Sequence, residues 1–259
     1  GAAQGGTEDS DHGGNIEMAG GFSSRGYGGS YILRTGYGMK TSSGLIDIAT
    51  ANSGDSGVSG EINLFTGVAL YGNSGHIRLE TGKAVSGRSG SYTLLVGEGN
   101  SGTGGLIRMT AGKTTDVQTG GTFTMYTGYS SQTSSGDFKM RTQNSGAAGV
   151  SGAMFLQTGI TTNGNSGKVQ ITTGQAVQGT GGSIEALVGT GNTHNGGDII
   201  ATAGTTTAVG MRGGDVLVTA GQGSSINNAD GGDGGHIALR GGAAKGTNRV
   251  VDLGGHIRI

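Results

Sequence analysis

Apolar and polar residues alternate along this chain in short, repeated bursts. SGHIRLETG (74–82), GGLIRMTAG (104–112), SGKVQITTG (166–174) and GGDIIATAG (196–204) share one pattern. A Gly-Gly or Ser-Gly pair comes first, apolar residues stand at the fourth and sixth positions, and a small residue stands at the eighth. Alternation with period 2 predicts an extended strand whose fourth and sixth side chains share a face. Units begin at 13, 28, 43, 59, 74, 89, 104, 120, 135, 151, 166, 181, 196, 213, 234 and 254. The spacing is 15 or 16 until residue 196, then 17, 21 and 20. Ile46, Ile77, Phe123 and Ile237 illustrate the fourth position, and Ile48, Leu79, Met125 and Leu239 the sixth. These two rows are expected to face inward. The flanking glycines are expected to supply positive φ at turns, where a Cβ would clash.

A longer period overlies the short one. SGLIDIATANSGDSGV (43–58) returns as SGDFKMRTQNSGAAGV (135–150), and SGSYTLLVGEGN (89–100) as GGSIEALVGTGN (181–192), both at an offset of 92 residues. Such registration argues against a low-complexity disordered tract.

One strand per unit needs a second wall, which the polar, Gly-rich remainder of the unit does not offer. Two units per coil would set one strand opposite another. The outward positions support that arrangement. Alternate units carry one large outward apolar residue: Ile32, Phe65, Leu95, Tyr126, Phe155, Leu187 and Leu217. Units between them carry polar pairs such as Arg78/Glu80 and Lys139/Arg141, with Ile200 as an exception. The pattern therefore predicts an all-β fold, a parallel β-solenoid (β-helix) of eight coils of ~30 residues with two short strands each. Its length at strand spacing would be roughly 38 Å. It would form one domain over 1–259, with longer loops at 222–233 and 242–253. An antiparallel meander and a solenoid of 15-residue coils are the alternatives.

Two contact surfaces follow from this reading. The seven outward apolar residues would line up as a lateral stripe against a second solenoid. The ends read as cuts through a continuing pattern: the chain opens Gly1-Ala2 in a loop, without Met, and stops at Ile259 inside a strand. Uncapped solenoid ends stack, so Gly1, Ala2, Ile16, Met18, Ile257 and Ile259 form the expected head-to-tail interface.

Composition narrows the function. The 259 residues include 61 Gly and no Pro, Cys or Trp. Glycine is far above the ordinary ~7%, and without Pro or a three-residue period this is not collagen. Absent Cys removes disulfides and thiolate metal sites. Charged residues make up 13%, with a net charge of −1. No basic surplus exists to neutralise phosphates, so nucleic acid is not an expected partner. No apolar run of ~18 residues is present, so membrane insertion is not expected either. No N-glycosylation sequon occurs among the Asn residues.

Candidate chemistry is sparse. Gly112-Lys113-Thr114 resembles the tail of a phosphate loop, but Ile107 stands where its first Gly belongs. Calcium β-rolls repeat Gly-Gly-X-Gly-X-Asp, and only Gly231-Gly232-Asp233-Gly234 comes near. Thr7-Glu8-Asp9-Ser10-Asp11, with Asp230 and Asp233, makes calcium the one cofactor considered; solvated loop acids are the ordinary reading. His76, His236 and His256 sit at outward third positions and read as surface residues. The acids are too dispersed for paired-carboxylate hydrolysis. An ice-binding array is the competing binding function, yet of Thr93, Thr124, Thr172, Thr202 and Thr219 only Thr124 pairs, with Thr122, as outward Thr-X-Thr, so no regular array forms.

Motifs such as SGDFKMRTQNSGAAGVSGAMFLQTG (135–159) resemble the Gly/Ser/Thr-rich β-solenoid proteins of diatoms and related algae, which repeat units of ~15 residues. The resemblance covers about residues 13–221. It implies a secreted or cell-surface structural role with no catalytic set to carry over. The expectation is a non-enzymatic solenoid that associates with itself, head to tail and laterally, into an extracellular filament or surface fibre.

Overall fold

Arg78 and Glu80 form an ion pair, as do Lys139 and Asp137 at 2.7 Å. Asn63 Nδ2 donates a hydrogen bond to Glu61 Oε2 at 3.4 Å. Each pair is separated by two residues. Side chains two apart meet when the backbone is extended, because alternate Cβ atoms leave on the same side. The computed structural model describes residues 13–247 and 252–258. The alternation also shows in exposure. Ile77 and Phe138, at fourth positions, are each 53% exposed, whereas outward Phe65 and Tyr126 are 81% and 91% exposed.

Extension does not lead to pairing. Among the described residues there is no strand and no helix. The expected all-β fold, a parallel β-solenoid of eight two-strand coils, is therefore corrected to an irregular, coil-like chain. The meander and the solenoid of 15-residue coils required strands too, and they are corrected with it. None of the described residues is buried, and no apolar core forms. The accessible surface is 27063 Å² for a 25.4 kDa chain. A compact monomer of that mass exposes about 10,000 Å² and a fully extended one about 37,000 Å². The rows expected to face inward thus remain accessible to water. The physical reason lies in the composition. Each unit offers two large apolar side chains against a backbone rich in glycine, the residue that loses most conformational freedom on ordering.

What the chain does form is a series of closed loops. Gly29 N–H donates to Gly21 O at 2.8 Å, Gly121 to Gly112 at 2.9 Å, and Gly136 to Gly128 at 3.0 Å. Gly214 bonds Gly204 at 2.9 Å, Gly235 bonds Gly221 at 2.9 Å, and Gly255 bonds Gly242 at 2.8 Å. In each case the donor is the second residue of a unit and the acceptor is the ninth residue of the unit before. The chain divides into two units, Gly1–Met125 and Tyr126–Ile259, and both contain these necks.

The necks explain glycine at the second position. A Cβ on Gly44 would stand 3.1 Å from Thr35 Cβ, and one on Gly105 would stand 2.7 Å from Val96 Cγ1. Close approach, rather than backbone sign, is the constraint there. Positive φ occurs elsewhere, inside the loops: Gly57 (127°), Gly72 (141°), Gly102 (72°), Gly149 (124°), Gly164 (120°) and Gly210 (75°). The expectation that the flanking glycines carry it is corrected accordingly. Gly57 and Gly149 lie one long period apart, as do Gly72 and Gly164, so the 92-residue repeat recurs in backbone conformation.

Loop interiors are tied by short side chains. Ser130 Oγ accepts from the backbone N–H of Gln132 (3.3 Å) and Thr133 (3.0 Å). Thr206 Oγ1 accepts from Ala208, and Asn227 Oδ1 from Ala229 at 2.8 Å and Asp230 at 3.3 Å. Ser, Thr and Asn make such local bonds readily, which is why they suit turns. The long loop at 222–233 is closed twice, by the Gly235–Gly221 neck and by Gly232 N–H donating to Ser225 O at 3.2 Å.

Candidate functional site

The residues available for function are the exposed apolar rows, because no cavity forms and no side-chain nitrogen or oxygen is buried without a partner among the described residues. Two rows run through the units. The fourth and sixth positions lie on one side of each extended segment. The outward row comprises Ile32, Phe65, Leu95, Tyr126, Phe155, Leu187 and Leu217, all exposed. The structure places every member of the expected lateral stripe at the surface, but supplies no sheet to space them at strand intervals.

Of the expected head-to-tail residues, Ile16, Met18 and Ile257 are exposed. Met18 Sδ accepts a long hydrogen bond of 3.8 Å from Tyr31 Oη, across the first described neck. Gly1, Ala2 and Ile259 lie outside the described residues.

The chemical candidates are not brought together. Among the described residues no three His, Asp or Glu side chains lie close enough to hold a metal ion. Asp230 donates its backbone N–H to Asn227 as part of a turn. The acidic run Thr7–Asp11 lies outside the described residues. At Gly112-Lys113-Thr114, Thr114 Oγ1 accepts from Asp116 N–H and no helix follows, so the segment is a loop turn. Thr93, Thr124, Thr172, Thr202 and Thr219 are exposed on segments without strand pairing. No helix among the described residues is long and apolar enough to cross a membrane.

Sequence reasoning missed the neck. Its signal was present: the first position of a unit accepts Gly or Ser, whereas the second is Gly in every unit from 13 to 254. The small eighth residue is the other half of that contact. Val96, at an eighth position, is 41% exposed, among the least exposed of the large apolar residues.

Backbone partners are confined in the same way. Among the described residues, hydrogen bonds between backbone groups join necks and loop interiors, such as Met211 N–H to Ala208 O at 3.3 Å. The apolar centres of the units take no part in them. No family model, no curated protein and no solved structure matches this chain.

Proposed function

We propose that this chain is a non-enzymatic structural protein whose copies associate with one another into an extracellular filament or surface fibre. The observation that carries the reading is the exposure of the apolar fourth and sixth residues of the units in a chain with no core of its own. Exposed apolar rows of this extent mark contact surfaces. The repetition makes a second copy the natural cover, since every unit offers the same pattern to the same pattern. Copies would join through these rows and through the exposed residues from Ile32 to Leu217.

Analytical ultracentrifugation and electron microscopy over a concentration series test this reading. The expected result is filaments above a threshold concentration. The triple substitution Phe65→Ser, Tyr126→Ser and Phe155→Ser should abolish lateral bundling. Monomers at every concentration would overturn the proposal.

A further inference from the structure

The unit centres are unsatisfied in two independent ways. Their apolar side chains are exposed, and their backbone N–H and C=O groups have no backbone partner among the described residues. In the units beginning at 74 and 135 side chains two apart already share a side, as the Arg78–Glu80 and Lys139–Asp137 pairs show. A neighbouring extended segment would satisfy both deficits together, by ladder hydrogen bonds along its edge and apolar contact along its face.

Within the chain that neighbour is not supplied. Each neck brings the second residue of one unit to the end of the preceding unit, and the backbone bonding stops there. A second copy supplies it in full. Identical segments stacked in register place like side chains against like and pair every backbone group with the chain above and below. Overall repulsion between copies is small, because the net charge is −1 over 259 residues, and the like charges that register sets together, such as Arg78 on Arg78, are exposed and screened by salt. The area is ample: the surface of 27063 Å² exceeds that of a compact monomer by about 17,000 Å². A stable protein–protein interface needs only about 1,200–2,000 Å².

We infer that the unit centres are docking edges for the same segments of a second copy, and that β-pairing arises between chains on assembly while the single chain has none. This rests on the self-association proposed above and names its chemistry: main-chain pairing between copies, with the Ile/Leu rows as the dry face. The preformed necks would hold consecutive segments ready for capture, and would shorten the search each one makes.

Proline separates the two layers of the proposal, since it removes a ladder donor and leaves the apolar rows intact. One variant carries Asn63→Pro, Thr93→Pro, Thr124→Pro and Gln170→Pro, each between a fourth and a sixth residue. A control carries Ser53→Pro, Ser145→Pro, Gln175→Pro and Thr205→Pro in the loops. All eight sites are uncharged and exposed, and the single chain has no ladder there to disrupt. Fibre diffraction and circular dichroism are recorded across a concentration series. The wild-type protein should gain β-signal with concentration and give a meridional reflection near ~4.8 Å. The unit-centre variant should raise the threshold concentration at least about tenfold and lose the reflection, while the loop variant should match the wild type. Assembly of the unit-centre variant at the wild-type threshold would overturn main-chain pairing and leave self-association standing. Equal failure of both proline variants would also overturn it. A wild-type chain that never assembles would overturn the self-association reading and this inference with it.

Discussion

In the connection from Ala203 to Gly214 the chain leaves one unit, turns at positive-φ Gly210 and returns to bond Gly214 to Gly204. In the segment that follows, Asp215 to Thr219, the backbone forms no strand and bonds to no other backbone group. The loop is Gly-, Thr- and Ala-rich and would be expected to be the loose part. The segment is Val- and Leu-rich and would be expected to be the ordered part. The backbone hydrogen bonds fall on the loop and not on the segment. A closed loop satisfies itself over a handful of residues, because its partners are near in sequence and closure costs little. An apolar segment needs a distant partner, and two large side chains per unit do not outweigh the cost of fixing a glycine-rich backbone.

The comparison can be broken most strongly at the segments. Replacing Ile77, Leu79, Ile107, Met109, Phe123 and Met125 by Ser removes six residues of the fourth and sixth rows from the units beginning at 74, 104 and 120. Assembly by sedimentation should be lost at every accessible concentration, while the Gly121–Gly112 neck keeps its amide protection in hydrogen exchange.

The necks should respond next. Gly105→Val would place its Cβ 2.7 Å from Val96 Cγ1 and should push these two segments apart, although no backbone hydrogen bond joins them, read as a shift of the Val96 methyl resonances. Pairing Gly105→Ala with Val96→Ala should restore the close approach, since the blocking methyl is gone. Gly136→Ala, whose Cβ would sit 3.8 Å from Gly128 N, should be tolerated without compensation. Failure of the paired variant to restore it would refute a steric origin for glycine at this position.

Smaller effects sharpen the long period. Gly57→Ala and Gly149→Ala should each cost their loops about 1–2 kcal/mol, because an L-residue is strained at positive φ. The two should match within experimental error, as should Gly72→Ala and Gly164→Ala. Unequal losses would mean that the 92-residue repeat stops at sequence.

The least effect belongs to the exposed ion pairs. Arg78→Ala removes the partner of Glu80 and should change association by less than ~1 kcal/mol, fading further with salt.

Legibility in the sequence follows the same division. Period 2 implies that side chains two apart meet, as they do in the Arg78–Glu80 and Asn63–Glu61 contacts, but the strands it predicted do not form, while the loops could be read from their Gly, Ser and Asn content. The 92-residue offset foretold the shared backbone of Gly57 and Gly149. Pairing could not be read. Periodicity fixes which side chains share a face, but says nothing of what covers that face, or whether the cover belongs to the same chain. The stripe residues are exposed, but so is every other large apolar residue among those described, and the aligned row has no support because alignment presupposed the sheet.

The necks also bear on how errors spread along the chain. In an ordinary strand pairing, one inserted residue turns every later side chain to the opposite face. Here the turn from Gly21 to Gly29 and the longer one from Gly221 to Gly235 end on the same contact, although they differ by six residues in span. Each closure resets the count, so a gain or loss inside a loop is forgotten by the next unit. Loop length is thereby free to drift, and a chain of this type can be lengthened, trimmed or decorated between units without losing phase.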